Sequence, residues 1–238
     1  MRIACWSGPR NISTALMRSW SSRNDTFVSD EPFYAYYLKE TGLNHPMAKE
    51  IINYYPNNYN EVVNSINKEI PKSKKIWYQK HMAHHLIKME NIDWIKNFHN
   101  CFLIRHPKDV ISSYIKRNQL NHINQLGYPQ QWKLVEYLIK NKIDVIIIDS
   151  SILLKNPKKI INDWCKKLNI EFYTTMLSWE KGSYSTDGIW WKHWYNNVIN
   201  TDQFQSFNKK PEKIKIEHEE IYNESIEYYK MLSSLSLK

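Results

Sequence analysis

At 238 residues and 42% hydrophobic content the chain can bury one sizeable core and has no need of a second, so one domain over 1–238 is expected. No stretch approaches the roughly eighteen continuous apolar residues of a membrane span, and Met1 runs straight into a strand-like segment rather than a leader, which points to a soluble, cytoplasmic protein. The net charge of +9 admits an anionic ligand, but the lysines are scattered rather than striped, so charge alone argues for neither nucleic acid nor a membrane surface.

In chain order, residues 2–6 read as a buried strand, and 13–23 as a helix with Ala15, Leu16 and Trp20 at helical spacing. A short strand follows at 26–29, a polar, Asn-rich surface connection at 54–60 and a helix at 58–68. Further strands fall at 75–80, 101–105 and 143–149, with helices at 107–117, 129–140 and 157–168. A Lys/Pro-rich surface connection at 208–215 leads to a last helix over about 216–233 that packs across the outside of the sheet. The runs at 101–105 and 143–149 are apolar on both faces, as in a parallel sheet covered by helices on each side. The expected architecture is therefore a three-layer α/β/α sandwich with a central, mainly parallel sheet of the P-loop NTPase-like kind.

The three cysteines, Cys5, Cys101 and Cys165, sit in apolar runs, where they act as small hydrophobes rather than disulfide partners. Ten Trp and sixteen Tyr against five Gly supply much flat contact area, part of it core and part of it pocket lining.

Two loops carry the chemistry. In "CWSGPRNISTAL" a strand ends in a Ser-Gly-Pro-Arg turn and passes directly into a helix start. There, unpaired backbone N–H groups and a partial positive charge suit an anion. Arg10 adds a planar fork of donors, and Ser13 or Thr14 can cap the helix and offer a hydroxyl. In "IRHPKDVISSY" Arg105 ends a buried strand, Pro107 opens a helix, and Ser113 lies further along it, so that Arg105 and Ser113 can grip a second anion separate from the first.

The pair "SGPRNIST" and "RHPKDVISS" resembles the two signature loops of the 3′-phosphoadenylyl-sulfate (PAPS)-dependent sulfotransferases: a basic residue followed by Ser/Thr, then R-x-P-x-x-x-x-x-S. "DSSILLKNPKKIINDWCKKLNI" at 149–170 and "KGSYSTDGIWWKHW" at 181–194 are similar to later family segments, the second to one that folds over the cofactor. Ile12 stands where the family's loop usually has glycine, with Gly8 nearby, and the Lys-Gly segment is longer than usual.

The resemblance implies sulfuryl transfer from PAPS to a hydroxyl or amine of a small-molecule acceptor, leaving adenosine 3′,5′-bisphosphate (PAP), with no metal. It places Gly8, Pro9, Arg10, Asn11, Ile12, Ser13 and Thr14 at the 5′-phosphate, Arg105 and Ser113 at the 3′-phosphate, and Lys181, Gly182, Trp190 and Lys192 in the cofactor lid. Arg10 would also stabilise the departing phosphate. Two bases are candidates: Glu31, placed as in the carbohydrate and tyrosyl branches, and His81, placed as in the cytosolic small-molecule branch with Lys80 beside it. His81, His84 and His85 have metal-compatible spacing if helical, but without an intervening carboxylate they read better as pocket histidines.

Two other readings stay open. A nucleotide kinase or NTPase predicts a Lys-Ser/Thr pair, which is missing, and an acidic magnesium ligand ending a strand, where Asp149 stands. A non-enzymatic polyanion-binding module predicts a basic stripe that the sequence lacks.

Overall fold

In the computed structural model, which describes residues 1–71, 73–89, 91–205 and 213–237, five strands form one all-parallel sheet in the order β2-β3-β1-β4-β5. They are β1 (Arg2–Ser7), β2 (Thr26–Asp30), β3 (Ile76–Met82), β4 (His99–Ile104) and β5 (Val145–Asp149), close to the expected runs. The α-helices among the described residues are α1 (Ser13–Ser21), α2 (Tyr34–Thr41), α3 (Ala48–Tyr54), α4 (Tyr59–Ile66), α5 (Pro107–Tyr114), α6 (Tyr128–Lys140), α7 (Ser150–Lys155), α8 (Pro157–Lys167), α9 (Trp191–Trp194) and α10 (Glu219–Ser234).

Side chains alternate across the sheet, as the strand period of two requires. Cys5, Cys101, Leu103 and Ile148 face α1 and α8, where Leu16, Met17, Trp20 and Trp164 complete one core. Ala4, Trp6, Phe102 and Ile147 face the other way, onto Leu134 and Leu138 of α6 and Leu232 of α10. This is the expected three-layer α/β/α sandwich, with a sheet parallel throughout.

The chain leaves β1 toward β2 and β3 on one side and later toward β4 and β5 on the other, so the strand order switches at β1. Cys5 pairs in register with Lys80 of β3 and with Cys101 of β4. In open parallel sheets, ligands bind beyond the carboxyl ends of the strands at such a switch point.

Helices α2, α3 and α7 depart from the expected pattern. The first two pack Tyr34, Tyr37, Leu38 and Ile51 against Trp190 and Tyr195 in a separate apolar cluster beside the sheet. The Asn-rich connection leaves Tyr54 exposed and ends at Asn58, whose side chain accepts from the Asn60 N–H at the start of α4. The last helix packs on α6 and α5, and beyond it Leu237 donates its N–H to Ile147 O at 2.8 Å. Residues 206–212 of the Lys/Pro-rich connection lie outside the described residues. All three cysteines are buried and free, and no helix among the described residues is long and apolar enough to cross a membrane.

Candidate active site

A cavity of about 440 Å³ opens at the switch point, lined by Pro9 to Ala15 of the β1–α1 loop and by the ends of β2, β3 and β4. The loop takes an unusual path to reach it. Arg10 and Ile12 have φ of 62° and 58°, in the left-handed region that costs a side chain with a Cβ about 1–2 kcal/mol, more for a β-branched one. Ile12 thus keeps the backbone conformation that a glycine would adopt without strain. Asn11, buried, ties the loop to the sheet through Nδ2 donating to Leu103 O at 3.2 Å.

Ile12, rather than Ser13 or Thr14, occupies the N-cap of α1, and no side chain caps that helix. The N–H groups of its first turn are therefore left for a ligand, together with the positive end of the helix dipole. Ser13 and Thr14 line the cavity beside them. Gly8 does not line it; the loop packs there against other backbone, and a Cβ on Gly8 would lie 2.1 Å from Leu126 O. Gly8→Ala is expected to cost about 1–3 kcal/mol of overpacking and to lower Tm by roughly 3–10 °C, measurable by calorimetric unfolding.

The two signature loops meet in one cationic cluster. Arg10 donates from Nε to Ser113 Oγ at 2.8 Å, and Arg105 donates from Nη1 to Arg10 O at 2.9 Å. Burial lowers the Arg10 pKa, and the guanidinium groups of Arg117 and then Arg105 lower it further. Burial also lowers that of Arg105, against the opposing pull of Asp109, 3.9 Å away. The exposed Arg117, past the end of α5 and outside the sequence motifs, acts on this cluster through its charge.

Glu31 follows β2 with a φ of 42°, held by its N–H donating to Lys80 O and its own carbonyl accepting from the Tyr34 N–H, each at 2.9 Å. Its Oε1 accepts from Lys80 Nζ at 2.6 Å, while Oε2 lies 3.9 Å from His85 Nε2. Burial raises the Glu31 pKa against the pull of Lys80, and the Asp30 carboxylate raises it further. Lys80 also donates to Asp30 at 2.9 Å and to the Tyr195 hydroxyl at 2.6 Å, and the carboxylates of Asp30 and Glu31 hold its ammonium protonated although burial opposes it. In the strand order Glu31 and Arg105 are three strand spacings apart, about 14 Å.

His81 stands elsewhere. Successive β3 side chains alternate, so while Lys80 reaches the cavity, His81 is buried on the opposite face, stacked on Trp6 at 4.4 Å with Nε2 bonded to Gln79 Oε1. Burial lowers its pKa to about 3. His84 and His85, in the turn after β3, line the cavity instead. Among the described residues no group of three His, Cys, Asp or Glu side chains is placed to hold a metal ion.

The late segment meets the cavity through residues other than those the sequence singled out. Lys181 pairs with Asp202 at 3.5 Å, Gly182 donates its N–H to Ile199 O at 2.8 Å, and Lys192 is exposed near Trp191. Trp190 is buried beneath, donating from Nε1 to the Tyr195 hydroxyl at 3.3 Å, while Trp194 and Tyr195 line the cavity. A buried, bidentate Arg18–Asp187 ion pair at 2.6 Å and a Gly188 N–H to Asp30 bond at 3.0 Å fasten this segment to the sheet. Asp149 caps α7 through the Ser151 N–H at 2.7 Å and accepts from the Tyr229 hydroxyl at 2.6 Å, so it serves the fold where a kinase would place a magnesium ligand.

The sulfotransferase domain profile matches residues 1–236. The chain belongs to the sulfotransferase domain family. Solved structures of similar fold include the sulfotransferase domain from the curacin biosynthetic pathway, with a TM-score of 0.56 and 15% identity over 93% of this chain and 96% of that one. The sulfotransferase domain of the Synechococcus PCC 7002 olefin synthase gives a TM-score of 0.57 at 15% identity, covering 94% of each chain. A sulfotransferase from Alicyclobacillus acidocaldarius gives 0.54 at 11% identity, covering 99% of this chain and 96% of that one. Among curated sequences, branched-chain-amino-acid aminotransferase-like proteins 1 and 2 of Arabidopsis thaliana are 30% and 29% identical over 98% and 97% of this chain. The chain spans 41% of the length of each, and what those names say belongs to the longer proteins.

Proposed function

We propose that this sulfotransferase-family protein moves a sulfuryl group from PAPS to a hydroxyl or amine of a small-molecule acceptor and releases PAP. The observation that carries this reading is the meeting of Arg10, Arg105 and Ser113 with an uncapped helix N-terminus in one cavity at the switch point. Such a site offers more positive charge than one phosphate needs, which fits a nucleotide phosphorylated at both the 5′ and 3′ positions. The buried, free cysteines fit a reducing, cytoplasmic setting.

Ser113 holds Arg10 through Nε alone, which leaves both Nη groups of the fork for the 5′-phosphate beside the first-turn N–H groups of α1. Arg105 and Ser113 would hold the 3′-phosphate. The donor supplies a sulfuryl group whose transfer resembles phosphoryl transfer, with loose bonding at the transition state. Arg10 and the α1 N-terminus would then stabilise the charge growing on the departing phosphate, an interaction stronger in the transition state than before it. Glu31, its Oε1 fixed by Lys80, would take the acceptor's proton on Oε2.

Calorimetric titration tests the donor reading. PAP is expected to bind at micromolar Kd without magnesium and at least about tenfold more tightly than 5′-AMP. Equal affinity for the two, or preference for magnesium-ATP, would overturn it.

A further inference from the structure

We propose that the acceptor is an aromatic alcohol or amine bearing no anionic group, and that Asp30, Glu31, His45, His84 and His85 impose this preference. The inference rests on the donor reading above and concerns the opposite end of the same cavity. Two carboxylates, Asp30 and Glu31, share the single ammonium of Lys80 there, at 2.9 and 2.6 Å. The remaining wall is made of rings. His85 lies parallel to Tyr34, 4.9 Å away, and stacks on Tyr37 at 4.6 Å; the Tyr34 hydroxyl bonds His45 Nδ1 at 2.9 Å; and the His45 ring meets Trp194 edge-on at 5.8 Å.

The imidazoles do not supply the missing positive charge. Burial lowers the pKa of His45, brings that of His84 to about 3 and holds that of His85 well below the ordinary imidazole range. With the donor seated, its phosphates offset the arginine cluster, so an anionic acceptor would face Glu31 and a polyanion in a desolvated cavity, where like charges repel strongly. An uncharged ring meets matching aromatic faces, and an ammonium gains both the carboxylate and the ring quadrupoles.

The test uses full-length protein already shown by titration to bind PAP, supplied with PAPS and three phenols that share a para two-carbon arm and differ in what it carries. These are uncharged 4-ethylphenol, cationic tyramine and anionic 3-(4-hydroxyphenyl)propanoate, with sulfated product read by mass spectrometry. The first two are expected to be sulfated, with kcat/KM for the propanoate at least about tenfold lower than for 4-ethylphenol. In His84→Lys, which adds a cation to the wall, that ratio is expected to shrink severalfold. The proposal is overturned if wild-type protein turns over the propanoate as well as 4-ethylphenol, if it sulfates none of the three, or if the ratio is unchanged in His84→Lys. Failure to bind PAP in the preliminary titration would instead remove the donor reading.

Discussion

Arg105→Ala is expected to weaken PAP binding by about one to two orders of magnitude while leaving 5′-AMP much less affected, as read by calorimetric titration of both nucleotides. The side chain is nine-tenths buried at the carboxyl end of β4, and burial already disfavours its charge, so an anion brought beside it recovers electrostatic energy that bulk water would otherwise supply. A charge-assisted hydrogen bond in such a place contributes about 1.5–3 kcal/mol, the range behind the expected loss. The substitution also removes the bond from Nη1 to Arg10 O, which helps hold a loop residue in a left-handed conformation. Two roles are therefore superimposed, and the nucleotide pair separates them. Loss of a contact to the 3′-phosphate discriminates between PAP and 5′-AMP, whereas a loosened loop weakens both alike. Arg105→Lys keeps a charge without the planar fork and is expected to recover only part of the discrimination. Equal losses for the two nucleotides would make Arg105 a strut for the loop and remove it from the 3′ site.

The sheet was legible in the sequence because buried parallel strands are continuous apolar runs, and "CFLI" and "VIII" have no polar face to obscure them. Helix α2 was not, since "YAYYLKET" is rich in rings that suit a pocket wall as well as a helix, and its place is set by packing on Trp190 and Tyr195 more than 150 residues away. Long-range pairing hid the Arg18–Asp187 clamp for the same reason, as its partners lie 169 residues apart. The histidine assignment had a usable local signal. Once Lys80 is placed in the cavity, the strand period of two sends His81 to the other face, and the turn that follows is what brings His84 and His85 back.

The loop around Ile12 shows where local sequence rules give way at a site. Ile12, a β-branched residue that disfavours positive φ, nonetheless adopts the backbone conformation natural to glycine. Asn11 on Leu103 O, Arg105 on Arg10 O and the close approach of Gly8 to Leu126 over-determine the path, and the strain persists because three contacts fix its surroundings. The geometry that leaves the first-turn N–H groups of α1 uncapped is thus maintained by the neighbouring chain rather than by the loop's own preferences.

Glu31→Gln is expected to lower kcat by about 10²–10⁴-fold while changing PAP affinity little. Glutamine keeps the shape and can still accept from Lys80, which also retains Asp30 and Tyr195, so the network stands while the proton acceptor is gone. Arg105 lies about three strand spacings, or roughly 14 Å, from the substitution and Arg10, which follows β1, about two, so neither is expected to sense it strongly. The pH profile supplies an independent check. Burial raises the Glu31 pKa above its ordinary 4.5 against the pull of Lys80. The working form is the carboxylate, so activity is present above that raised pKa and lost as pH falls through it. The acid limb of the wild-type kcat profile is accordingly expected above the usual carboxylate range, and Glu31→Gln should abolish that limb along with the rate. A variant retaining most of its activity would take the base role from Glu31. The burial of His81 against Trp6 then leaves His85, 3.9 Å from the same carboxylate, as the group to replace next.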